Sequence, residues 1–212
     1  MSRDEAPQLA RGTTWYKGDA VPATLAERGY QNLLGKTWVF EDVSPTTGVA
    51  RTNRYVTLRL VYNSTTWTIY PKQLCQIDQN DPGKVIGTVI ATNDGGLPAD
   101  EYLPAAGVPA GDAFYVVERG PAMIRNSVAE IAENIIAVND WIVGATIDAT
   151  SGAGDTTGRI GKAAFAITSQ ATDLATVLKG IQNCVGKAMS AAVTSGVTDT
   201  DVLVDVGAGV GL

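Results

Sequence analysis

The sequence predicts an all-β fold, a Gly-rich small barrel or sandwich with an extended N-terminal arm and one to three short helices. Three observations lead there. The 212 residues include 23 glycines, about 11% against a usual 7%, and they separate short apolar runs instead of forming one linker. Segment 54–62 alternates cleanly, with Tyr55, Thr57, Arg59 and Val61 on one side and Val56, Leu58, Leu60 and Tyr62 on the other, the pattern of a half-buried strand. Turn residues then recur between such runs, at Asn80-Asp81-Pro82-Gly83, Asn93-Asp94-Gly95-Gly96, Gly120-Pro121 and Ser151-Gly152-Ala153-Gly154-Asp155.

In chain order, strands are expected at 37–41, 54–62, 67–70, 84–92, 113–119, 122–125, 141–147, 158–168, 184–194 and 201–206. Helices are expected to be few. Residues 22–35 open on Pro22 and close on Gly35 around Leu25, Leu33 and Leu34, which suits a helix. Ser127 and Glu130 have capping-box spacing ahead of Ile131, Ile135 and Val138, so 128–138 reads as a helix, with a strand and turn as the alternative because β-branched residues dominate it. Residues 172–180, carrying Leu174, Val177 and Leu178, suit one or two helical turns. The expected organisation is an N-terminal arm with a short helix over 1–36 and a β domain over 37–212, with a hairpin subdomain at 37–80 and the main β core at 84–207.

Charge and composition exclude much. Sixteen Lys and Arg face 22 Asp and Glu, a net charge of −6, whereas a general nucleic-acid binder needs a basic surface to displace counterions. The chain has no histidine, which removes Ser-His and Cys-His nucleophile pairs and every His-containing zinc site. No run approaches the roughly 18 apolar residues of a membrane span. The opening Met-Ser-Arg-Asp-Glu-Ala-Pro-Gln lacks the apolar core of a secretory signal. Cys75 and Cys184 lie far apart in apolar segments and read as two buried thiols in a reducing compartment. No cofactor and no enzymatic activity is expected.

Several motifs tempt and fail. Val202–Asp205 followed by Gly207-x-Gly209-x-Gly211 looks like the first motif of S-adenosylmethionine-dependent methyltransferases, but no helix or further strand follows Gly211, so a closing strand with a small-residue tail is expected. The Gly152–Gly158 loop is followed by a strand-like run where a phosphate would need a helix, and Lys162 precedes Ala163 instead of Ser or Thr. Asp78-Gln79-Asn80-Asp81-Pro82-Gly83 has proline where an EF-hand places a ligand and Val89 where it places glutamate, so Asx turns account for it. No carboxylate pair stands out as a glycosidase site. Of the four tryptophans, Trp67 and Trp141 have the neighbours of core strand residues. Trp15 and Tyr16, followed by Lys17, sit in an unpatterned N-terminal segment and are the candidate contacts of an extended arm lying across a neighbouring subunit, because aromatic anchors dominate interface energetics. The alternative is a frayed terminus whose Trp15 packs on the domain.

The run Phe114–Ala122 closing on Gly120-Pro121, then Asn139–Gly144, Thr157-Gly158-Arg159-Ile160-Gly161-Lys162-Ala163, Val185-Gly186-Lys187-Ala188-Met189-Ser190-Ala191 and Asp201–Val206 follow an order similar to that of the capsid decoration, or cement, proteins of tailed bacteriophages. The resemblance covers roughly residues 84–207 and rests on small residues; residues 1–80 do not share it. It implies a structural virion protein on the capsid exterior, made in the host cytoplasm, that binds the major capsid protein, bridges neighbouring subunits and self-associates, with a trimer favoured. It also implies no direct contact with nucleic acid or membrane. A head–tail adaptor, fibre-base or tail protein, or a carbohydrate-binding β module, are the competing expectations.

Overall fold

A computed structural model describes residues 11–14, 33–89, 95–125, 136–144, 158–163, 170–191 and 201–207. The fold is all-β. Among the described residues ten strands form one sheet: β1 (Thr37–Val43), β2 (Ala50–Asn63), β3 (Leu74–Ile77), β4 (Lys84–Thr88), β5 (Leu97–Pro98), β6 (Ala113–Arg125), β7 (Trp141–Gly144), β8 (Ile160–Lys162), β9 (Gly186–Ala188) and β10 (Asp201–Val206). The spatial order is β5-β3-β4-β2-β6-β10-β9-β7-β8, with β1 also paired to β2. Among the described residues one helix, α1 (Gln170–Gln182), precedes β9. The sheet does not close into a barrel. It curls far enough for its ends to touch, because Gly158, just before β8, donates to the Val89 carbonyl at 2.9 Å and accepts from the Leu74 amide at 2.6 Å.

Strand β6 is the pivot. Its first half pairs antiparallel with β2 and its second half with β10, so one strand belongs to both halves of the sheet. The sequence predicts a turn at Gly120-Pro121 between two strands, and the structure corrects this: the pair lies inside one continuous strand. The change of direction comes from a bulge at Glu118, where Thr57 faces Arg119 and Leu58 faces Val117, and from Gly120, whose φ is +97°. A side chain at Gly120 would place its Cβ 2.5 Å from the Tyr55 carbonyl oxygen, so both conformation and space demand glycine. Pro121 has no N–H to donate, and bulges and corners are where sheets tolerate it.

The alternation along β2 becomes burial on two faces. Val56, Leu58 and Leu60 join Ala113, Tyr115, Val117, Ala122 and Ile124 of β6, Val202, Val204 and Val206 of β10, and Ile142 of β7 in one core, with Trp38 and Phe40 of β1 packed edge-on against Tyr115. The opposite face of β2 and β6 holds a second core, in which Val61, Phe114 and Val116 meet Val85 of β4 and Ile69, Leu103 and Val108 from loops. Residues 37–63 therefore share both a sheet and a core with the later strands.

Other expectations meet differences. Residues 67–70 form no strand; Ile69 makes an isolated bridge to Val108, and Trp67 is 38% exposed instead of being a core residue, because Asn63 Nδ2 and Thr65 Oγ1 both donate to the Trp67 carbonyl and fold the segment into a turn. Trp141 is half-buried at the start of β7, with the Lys187 ammonium 4.3 Å from its ring centre. Strands β3 and β5 were not expected. Helix α1 is longer than the two turns expected. The 78–83 loop is held by Asx hydrogen bonds, from the Asn80 amide to Asp78 Oδ1 at 2.9 Å and from the Gly83 amide to Asp81 Oδ1 at 3.1 Å. Cys75 and Cys184 are unbonded to each other. Residues 22–32 of the helix expected at 22–35, most of the helix expected at 128–138, and the strand continuations at 90–92, 145–147, 164–168 and 192–194 lie outside the described residues, while Leu33 to Gly35 form a short turn.

Candidate functional site

The β1–β2 hairpin is irregular where the sequence places its charges. Glu41 faces Tyr55 and Val43 faces Ala50, so Asp42 alone lies opposite the four residues Arg51 to Arg54. This excursion wraps around the Asp42 side chain, which is fully buried. Asp42 Oδ1 accepts from Arg51 Nη2 at 2.8 Å, and Oδ2 accepts from Arg51 Nε at 3.1 Å and from Thr52 Oγ1 at 2.7 Å. A buried carboxylate demands such partners, because leaving it unpaired costs several kcal/mol.

Five further groups converge there. Arg51 Nη1 pairs with Glu101, and its Nη2 donates to the Pro121 carbonyl at 3.1 Å, which ties the cluster to the kink in β6. Asp100 follows β5 and is positioned by its backbone amide, which donates to the Tyr115 carbonyl at 3.0 Å. Arg11, from the N-terminal segment, inserts its guanidinium among these carboxylates: Nε donates to Asp100 Oδ1 and Oδ2 at 3.2 and 3.3 Å, Nη1 lies 3.5 Å from Asp42 and Nη2 lies 3.7 Å from Glu101. Its guanidinium carbon sits 4.5 Å from the Tyr102 ring centre, a cation–π contact. The Arg11 side chain is only 5% exposed.

Three carboxylates thus face two guanidinium groups in a region shielded from water. Burial raises the pKa of Asp100 above the ordinary carboxylate value in spite of the opposing charge of Arg11, and burial does the same to Glu101 against the charge of Arg51. For Arg51, burial works against the charged form, but the Asp42 hydrogen bond and the Glu101 and Asp42 charges outweigh it and the pKa rises. No group of three or more metal-ligating side chains suited to an ion is present among the described residues.

Above the cluster, the hairpin presents an exposed surface. Val39 is 64%, Val49 65% and Tyr55 66% exposed. Val39 faces Thr57, two residues from Tyr55 on the same strand face, so the two apolar side chains are diagonal neighbours. Glu41, Val43, Ala50, Thr52, Asn53, Arg54 and Tyr55 line a groove of about 250 Å³ created by the excursion. Arg54 leans across to Asp205 of β10 at 2.8 Å.

Trp15, Tyr16 and Lys17, the contacts expected from the sequence, lie outside the described residues. The cluster of Arg11, Asp42, Arg51, Asp100 and Glu101 was not anticipated. Its members are up to 90 positions apart in a chain where isolated charges read as solvated, and the one local trace is Asp42, which falls on the inward side of β1 between Phe40 and the turn. Comparison with family models, with curated proteins and with solved structures finds no match. Among the described residues no helix is long and apolar enough to cross a membrane.

Proposed function

We propose that this chain is a structural protein of a tailed-phage virion that binds the outside of the assembled capsid and bridges neighbouring major capsid subunits, as the resemblance over residues 84–207 implies. The observation that carries the reading furthest is the docking of Arg11 against Asp42, near the turn of the β1–β2 hairpin. Trp15, Tyr16 and Lys17 follow four to six residues later, so covalent reach keeps them within about 20 Å of Arg11. The exposed Val39, Val49 and Tyr55 all belong to the β1–β2 hairpin. A surface combining aromatic anchors and exposed aliphatic residues suits a protein partner.

Binding of this kind stabilises the shell by mass action, because only the assembled lattice offers sites that span two subunits. Self-association, as a trimer, would multiply those contacts and cover exposed strand edges. The test is to band particles from the native lysate on a density gradient and quantify the chain against the major shell protein by mass spectrometry. A fixed, near-stoichiometric ratio is expected. A few copies per particle would favour the adaptor or tail reading, and absence from particles would overturn both and return the carbohydrate-binding module to the front.

A further inference from the structure

The carboxylate side of the buried cluster is held in part by groups other than Arg11, although the Asp100 carboxylate also accepts from Arg11 and from the Gly12 amide beside it. Arg51 bridges Asp42 and Glu101 and is itself fixed by the Pro121 carbonyl. Asp100 is held by its backbone bond to Tyr115, and its carboxylate accepts from the Tyr102 amide. Arg11 is the member that comes from outside the sheet, and it is incompletely bonded: Nη1 and Nη2 are buried and close to carboxylates, yet neither makes a hydrogen bond. A buried cation satisfied mainly through one nitrogen recovers less of its desolvation cost than a fully forked pair. The docked state is therefore held by a contact of limited strength in a site that other groups keep in shape.

We propose that Arg11 is a releasable latch: Asp42, Asp100, Glu101 and the Tyr102 ring form a guanidinium socket that secures the N-terminal segment when Arg11 fills it and frees that segment when Arg11 leaves. With Arg11 gone, three carboxylates face the single guanidinium of Arg51. The complementary ligand is then another guanidinium, planar enough to stack on Tyr102 and able to donate to both oxygens of Asp100 through a fixed fork of two N–H groups; an ammonium has donors but neither the plane nor the fork. The latch is independent of the capsid reading, since it concerns how the segment is held and not what the segment meets.

The unaltered chain provides the first test. The Gly12 amide donates to Asp100, so native-state hydrogen exchange reads the latch directly. Gly12 is expected to exchange, after correction for intrinsic rate, at least tenfold faster than the Leu60 amide, which donates to the Lys36 carbonyl within the folded body. Equal protection would mean that the segment leaves only when the whole fold opens, and would overturn the latch. The second test uses Arg11→Ala in the full chain. N-acetylarginine amide is expected to slow exchange of its Tyr102 amide at least fivefold and saturably, while N-acetyllysine amide does not. No response to the arginine analogue, an equal response to the lysine analogue, or failure of the variant to fold would each show that the socket is not self-supporting or not selective, and would overturn the proposal.

Discussion

Asp42 and Arg51 meet across the excursion of the β1–β2 hairpin in a two-pronged pair, with Arg51 Nη2 2.8 Å from Oδ1 and Nε 3.1 Å from Oδ2. Side-on pairing of this geometry fixes both distance and plane. It holds four residues of β2 around one residue of β1, and the exposed groove of the hairpin is the outer surface of that arrangement.

Replacing Asp42 by Ala removes the acceptors of Arg51 Nε and Nη2 and of the Thr52 hydroxyl and leaves buried cations underpaired. The expected loss of stability is about 3–5 kcal/mol, against about 1 kcal/mol for Thr52→Ala, which removes a single hydrogen bond. Urea unfolding of both variants, with equal slopes, checks the ratio.

Gly120 and Gly48 both have positive φ, +97° and +69°, but they differ in surroundings. A Cβ at Gly48 meets nothing within 4 Å, whereas one at Gly120 meets the Tyr55 carbonyl oxygen at 2.5 Å. Gly48→Ala should cost about 1–2 kcal/mol, from conformation alone. Gly120→Ala should cost clearly more, because the β2–β6 ladder has to part as well, and its melting temperature should fall below that of the Gly48 variant.

The pH dependence has a definite sign. Asp100 and Glu101 have folded-state pKa values above those of the unfolded chain, raised first by burial. Their contribution to stability is therefore fully present below the ordinary carboxylate range, near 4, and is lost as pH rises through the raised values. Asp100→Asn resembles the protonated acid at every pH. The stability of the natural chain minus that of Asp100→Asn should fall as pH rises from about 4 towards neutrality; a difference that grows with pH, measured by urea midpoints, would contradict the assignment.

The two thiols should separate in reactivity. Cys75 is fully buried and its thiol pKa is pushed up to about 12 by burial, while Cys184 is half-buried, with a pKa also raised by burial. Since the thiolate is the reactive form, a disulfide reagent at neutral pH should modify Cys184 slowly in the native state and Cys75 only on unfolding. Mass spectrometry of the modified chain with and without denaturant reads this directly.

The local pattern was sufficient for much of this architecture. The two-residue alternation of β2 placed Val56, Leu58 and Leu60 on one face, which the fold buries in one core, since a strand places successive residues on opposite faces whatever its partners. The Asx chemistry of 78–83 was equally local. Tertiary structure decided the rest. Leu74–Ile77 and Leu97–Pro98 are strands through hydrogen bonds to each other and to β4, and neither segment is long or periodic enough to declare itself. Gly120-Pro121 is a turn signal in isolation and a corner within β6 in the fold, because pairing with β2 on one side and β10 on the other outweighs the local preference. Arg11, Asp42, Arg51, Asp100 and Glu101 read as ordinary surface charges until the fold brings the β1–β2 hairpin, the segment after β5 and Arg11 together and removes water from between them. A sequence states each residue's own capacity to be buried or to turn, whereas the meaning of a charge depends on neighbours brought close by pairings far apart in the chain.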